Sequence, residues 1–118
     1  MKHNRIVRTI LSAVALFGIS TGVEAQSYPA NPIRLIVPYP PSGGADAAGR
    51  IVASALSEKL KKQVIVDNRP GASGRIGTAL AAKAPADGYT LLLGNVGPNA
   101  IIPAGYKNLP YDQQKDFA

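Results

Sequence analysis

The apolar positions change period along the chain, and each change marks an element. Ile33-Arg34-Leu35-Ile36-Val37 is nearly continuously apolar, the pattern of a strand covered on both faces in a parallel sheet. Pro32 holds Asn31 extended and leads straight into it. From about Gly44 to Leu60 the period lengthens. Ala48, Ile51, Val52, Ala55, Leu56 and Leu60 recur at spacings of three and four, which predicts a helix with these residues on its apolar face. Val64-Ile65-Val66 is short and β-branched and predicts a second strand. After the loop Asp67–Gly74, Ile76, Leu80 and Ala81 set the apolar side of a second helix ending near Lys83. Ala84-Pro85-Ala86-Asp87-Gly88 is turn chemistry, Tyr89–Leu93 is a third strand, and Gly94-Asn95-Val96-Gly97-Pro98-Asn99 is again loop. Strand, helix, strand, helix, strand predicts an α/β fold with a parallel sheet and right-handed crossovers. The tail from Tyr106 to Ala118 is turn-rich and adds no closing element. So small a core leaves one helix face without a partner, so the chain is expected to be a piece of something longer.

The first 25 residues change that picture. Lys2, Arg5 and Arg8 precede an apolar run from Ile10 to Ile19, and Val23-Glu24-Ala25 places small residues where a peptidase reads. This three-part pattern predicts an export signal cleaved near Ala25, and its apolar run is shorter than the roughly 18–20 residues that cross a bilayer. Residues 1–25 hold three of the 13 basic and one of the seven acidic side chains, so the mature chain carries ten against six, a net +4. A modestly basic surface suits a small organic anion. No Lys/Arg cluster interleaved with aromatics points to nucleic acid, and the one basic knot, Lys59-Leu60-Lys61-Lys62, fits a helix C-terminus, where the dipole favours cations.

Chemistry is bounded by what is missing. There is no cysteine, which excludes disulfides, thiolate metal sites, a cysteine nucleophile and a lipid anchor at the cleavage site. The single histidine, His3, lies in the leader, so a histidine-dependent triad is impossible in the mature chain. Neither an enzyme nor a cofactor is expected.

What the chain does offer is a strand emptying into Pro38-Tyr39-Pro40-Pro41-Ser42-Gly43-Gly44-Ala45-Asp46 and then a helix. Free backbone N–H groups at such a junction hold small anions. Ser42 suits the N-cap. In an open α/β sheet, ligands bind beyond the carboxyl ends of the strands where the strand order reverses. If the second and third strands flank the first, that point lies between the loops Pro38–Asp46 and Gly94–Asn99. Asp46 fits dipole complementation or loop bracing, with contact to a ligand amide or cation as the sharper reading. Asn95 either shapes a turn or donates to a ligand carboxylate, and Tyr39 either packs on a ligand or fills the loop. Arg69 and Arg75 are the cations nearest that edge. A dinucleotide-binding enzyme domain is the rival from another class, with Gly43-Gly44 in the first turn and Asp67 at the end of the second strand. The G-x-G-x-x-G spacing is absent, however, and Pro40-Pro41 stands where the tight glycine turn belongs.

Several separated stretches then share a resemblance. Tyr28-Pro29, Pro32 through Asp46, Val66-Asp67-Asn68-Arg69-Pro70-Gly71-Ala72-Ser73-Gly74, Ala82 through Leu92, Leu109-Pro110-Tyr111-Asp112 and Lys115-Asp116-Phe117 resemble the Bug-type extracytoplasmic solute receptors of tripartite tricarboxylate transporters. The resemblance covers essentially the whole mature chain. It implies a periplasmic binding protein-like, type II, α/β domain, present here only in its N-terminal portion (26–118), with a second domain outside this chain. It further implies capture of a di- or tricarboxylate, an acidic amino acid or an aromatic acid, without metal or cofactor, by a monomer that presents it to a membrane transporter. By the same resemblance, Tyr39, Pro40, Pro41, Ser42, Gly43, Gly44, Ala45 and Asp46, with Gly94, Asn95, Val96 and Gly97, hold the ligand carboxylate through backbone amides and ordered water. Asn68–Gly74 matches a further loop on that edge. Arg75 departs from the small polar residue usual in the family. The alternative is a truncated fragment of such a receptor that binds nothing.

Overall fold

In the computed structural model, which describes residues 27–117, Ile33–Val37 forms β1, the middle strand of a three-stranded parallel sheet. β2 is Val64–Asn68 and β3 is Thr90–Leu92, giving the order β2-β1-β3. The expected export signal, residues 1–25, lies outside the described residues. The β1–β2 ladder pairs Ile33 with Val64 and continues to Val37 opposite Asn68. β2 therefore runs two residues past the β-branched triplet, because its ladder partners continue. β3 is shorter than Tyr89–Leu93.

Between β1 and β2 lies α1, Gly44–Leu60, and between β2 and β3 a 3₁₀ turn, Ala72–Gly74, opens α2, Arg75–Ala82. Right-handed crossovers that step to opposite sides of β1 place these helices on opposite faces of the sheet. Ile33 and Leu35 pack with Ala53, Leu56 and Leu60 of α1. Ile36 points to the other face and is equally buried, where α2 meets β1 and β3.

Both helices have the expected extent, but their buried faces differ from the apolar stripes. In α1 the buried residues are Asp46, Gly49 and Ala53, whereas Ala48, Ile51 and Ala55 are exposed and Val52 largely so. In α2 they are Gly77 and Thr78, while Ile76 is 56% and Leu80 37% exposed. The cause is close approach. A Cβ at Gly49 would lie 2.7 Å from Val37 Cγ2, and one at Gly77 would lie 2.7 Å from the Arg69 carbonyl and 2.8 Å from Pro38 Cβ. At Gly49 and Gly77 the sheet-facing stripe thus needs small residues and Ile51, Val52 and Ile76 flank it, whereas Leu56 and Leu60 of the expected α1 face do pack on the sheet. Thr78, fully buried, satisfies its hydroxyl by donating to the Gly74 carbonyl at 2.9 Å.

The segment after β3 is more helical than its sequence suggests. Gly94 and Asn95 remain loop, but Gly97–Ile101 forms a π-type turn that runs into a short α3, Ile102–Gly105. Pro98 sits in the first turn of this stretch, where a missing N–H costs no helical bond. From Tyr106 onward the chain is turn-rich, as expected. No helix among the described residues is long and apolar enough to cross a membrane.

Candidate functional site

The order β2-β1-β3 puts the switch point between β1 and β3, so the loops leaving these two strands meet at one mouth, as the sequence predicts. Pro38 is fully buried beneath α2, Tyr39 is half-buried, and Pro40 through Gly44 are exposed. Gly43, not Ser42, occupies the N-cap of α1, with extended backbone and no side-chain cap bond. Ser42 stands one residue earlier in the left-handed region, φ 68°, because its own N–H is drawn to Asp46 Oδ2 at 2.9 Å. The first bond of the helix runs from the Ala47 N–H to the Gly43 carbonyl at 3.0 Å. The N–H groups of Gly44, Ala45 and Asp46 therefore have no acceptor within the helix and carry its partial positive charge.

Asp46 braces this loop. Its buried carboxylate accepts from the Ser42 N–H, from Arg50 Nε at 3.0 Å and from Asn68 Nδ2 at 3.0 Å. Arg50 is the main cause of a pKa lowered from 3.8 to about 2, helped by the Ser42 N–H and by Asn68 against the opposing effect of burial. Asn68, at the end of β2, also donates to the Tyr39 carbonyl at 3.2 Å. Sequence reasoning placed Asn68 on this edge without giving its side chain a task. The only signal for that task is the register that sets Asn68 beside Val37.

The second loop organises itself. Asn95 Oδ1 accepts the Gly97 N–H at 3.1 Å, and the Asn95 N–H donates to Asn99 Oδ1 at 3.2 Å. The Asn99 N–H returns to the Asn95 carbonyl at 3.1 Å. The turn-forming reading of Asn95 therefore describes its oxygen. The tail supports the loop from below: the Tyr111 hydroxyl donates to the Pro98 carbonyl at 2.6 Å, and Asn99 Nδ2 donates to Gln113 Oε1 at 3.1 Å. Gly94, Asn95 and Val96 are exposed and Gly97 is half-buried.

A third loop, after β2, closes the group. Gly71, Ala72, Ser73 and Gly74 all have positive φ, at 126°, 49°, 55° and 90°, a run that bends the chain sharply into α2. The Tyr39 hydroxyl would lie 3.4 Å from a Cβ at Gly74 and 3.6 Å from one at Gly97, so the Tyr39 ring fills the joint where all three loops meet. The two cations of this edge are turned elsewhere. Arg69 Nε donates to Asp67 Oδ1 at 2.8 Å, and Arg34 bridges the same carboxylate. Burial pushes the Asp67 pKa up, but these two arginines outweigh it and hold it below the ordinary value. Arg75 donates to the Ala72 carbonyl at 3.1 Å and stacks 5.0 Å from the Tyr106 ring centre.

Two apolar hollows border these loops. One of about 610 Å³ covers the outer face of α2, lined by Arg69, Arg75, Ile76, Leu80 and Lys83 among others. Another of about 740 Å³ follows the open side of β3 and reaches Gly94 and Asn99. Both are bounded mainly by apolar side chains. Among the described residues no group of three or more His, Cys, Asp or Glu side chains is placed to hold a metal.

Comparison with known proteins gives this geometry a setting. Residues 48–118 match the family described as tripartite tricarboxylate transporter family receptor. Protein BugT of Bordetella pertussis is 42% identical over 118 residues, covering 99% of this chain and 36% of BugT. The periplasmic binding protein BugD superimposes with a TM-score of 0.72 at 37% identity over 76% of this chain and 30% of BugD. A structure of R. palustris Rpa4515 with adipate gives 0.69 at 37% identity, over 74% of this chain and 29% of that one. The chain thus spans about a third of the length of these relatives.

Proposed function

This chain belongs to the tripartite tricarboxylate transporter receptor family, and from that premise we propose that it supplies one wall of a periplasmic cleft that captures a small organic carboxylate. The observation that carries the reading is the unclaimed N–H groups at the start of α1, set at the switch point beside the Gly94–Gly97 loop. With Arg69 and Arg75 engaged elsewhere, the anion meets dipoles, not a side-chain cation. The amides of Gly43, Gly44, Ala45 and Asp46 are its donors. Asn95 Nδ2 donates from the facing loop, with Gly94, Val96 and Gly97 leaving room, and Tyr39, Pro40, Pro41 and Ser42 give the rim its shape.

A cradle of backbone dipoles reads a carboxylate and leaves the rest of the molecule to the other wall. Dicarboxylates, tricarboxylates, acidic amino acids and aromatic acids all fit such a cradle. In this reading residues 26–118 form the N-terminal part of the first domain, following export and cleavage near Ala25. A second domain closes over the anion by a hinge motion, and the loaded monomer presents it to a membrane transporter without covalent chemistry, metal or cofactor.

The test is thermal stabilisation of the full-length, ligand-stripped protein by a broad carboxylate panel that includes adipate. Stabilisation at one or more carboxylates, with none from the matched amides or alcohols, is expected. A flat response across the panel sinks the receptor reading.

A further inference from the structure

We propose that Asp46 and Asn68 are the positioning residues of the anion cradle: together they hold Ser42 left-handed and so aim the first amides of α1 at one point. The inference rests on the carboxylate-receptor reading for its consequence, but its geometry stands without it. Ser42 is a non-glycine residue at φ 68°, a conformation that strains an L-residue and persists only where the surroundings impose it. Here the imposition is visible. The Ser42 N–H is held by Asp46 Oδ2, Asp46 Oδ1 is held by Asn68 Nδ2, and the same Nδ2 donates to the Tyr39 carbonyl. The Tyr39 end of the stretch is thereby pinned to Asn68 directly and the Ser42 end through Asp46, with Asn68 22 residues from Asp46 and 29 from Tyr39.

The chemistry of the pair explains why an acidic residue can stand so close to an anion site. Asp46 is 4% exposed; its Oδ2 accepts from the Ser42 amide and Arg50, and its Oδ1 from Asn68. Its charge is answered locally by Arg50, and its bonds point back into the fold. An aspartate at this place therefore orders the donors without meeting the ligand.

Asn68→Ala in the full-length protein tests this by two readouts. Amide hydrogen exchange of Ser42 is expected to speed up about tenfold, and adipate affinity to fall about tenfold, for loss of one bond to a buried charged acceptor. Leu35 in β1 should keep its protection. Adding Ser42→Gly, which removes the cost of the left-handed backbone, should restore most of both. Should Asn68→Ala fail to fold, Asp46→Asn keeps the shape but turns one acceptor into a donor, and the same two changes are expected. The proposal is overturned if Ser42 exchange is unchanged, or if Leu35 loses protection in step with it and Ser42→Gly restores nothing. The exchange readout needs no ligand. Absence of adipate binding in the unaltered protein bears on the receptor reading alone.

Discussion

The two loops that face each other across the switch point are held by different means. The Pro38–Asp46 loop is tied to the sheet: Asn68 reaches it from β2, Asp46 reaches it from α1, and Pro38 lies directly under Gly77 of α2. The Gly94–Asn99 loop is tied to itself through Asn95 and Asn99, and to the tail through Tyr111 and Gln113. The first is therefore set once the sheet forms, and the second only when the late part of the chain docks. The first loop is placed by the sheet and α1, while the other is placed by a segment that follows it in sequence.

Crowding separates the loops most strongly. Gly77→Ala would press a methyl against the Arg69 carbonyl and Pro38, both within 3 Å, and is expected to destabilise the full-length protein by about 1–3 kcal/mol through overpacking. Gly97→Ala meets only ordinary contacts at 3.6 Å and 3.7 Å and should stay within about 0.5 kcal/mol. Equal melting temperatures for the two variants would contradict the contrast.

Acid comes next, and it acts on the first loop through Asp46. Its pKa in the fold, about 2, lies below the ordinary 3.8, so the ionised form is the stabilising one. That contribution is complete above pH 3.8 and is lost as pH falls toward about 2. Subtracting the melting-temperature profile of Asp46→Asn from that of the unaltered protein should leave a difference that shrinks across this window. A difference independent of pH there would refute the role of the charge.

On the other wall, Tyr111→Phe removes the donor to the Pro98 carbonyl from a residue that is 6% exposed. A loss of about 0.5–1.5 kcal/mol is expected, together with faster exchange confined to Gly97–Ile101. Spread of that effect to Ser42 would show that the loops are not independently held. The smallest effect belongs to Arg69→Gln. Its ion pair with Asp67 is half exposed and contributes about 0–1 kcal/mol, and carboxylate titration should find affinity unchanged because Arg69 faces away from the mouth.

Much of the fold was legible in the residues. The nearly continuous apolar run of Ile33–Val37 and the spacing over Gly44–Leu60 are local signals, and both elements have those bounds. The meeting of the first and second loops also followed once β2 and β3 flanked β1. The helix faces were misjudged because apolarity and fit are different quantities. Ile51 and Ile76 are more apolar than Gly49 and Gly77, but only a hydrogen fits against Val37 and Pro38. The Gly97–Gly105 helical stretch was hidden by Pro98 and Pro103, residues that usually break a helix interior, although Pro98 falls in its first turn.

What the sequence by itself determined is therefore the order and extent of the main elements, because strand and helix periods are written within five to seventeen consecutive residues. It also determined the composition of the mouth, where glycines and prolines dominate both loops and no histidine or cysteine occurs. The tertiary structure alone decided that Gly43 caps α1 while Ser42 turns left-handed, and that Asp46 serves the loop. These depend on Asn68 arriving beside Val37, and no local pattern records a contact made across a parallel ladder.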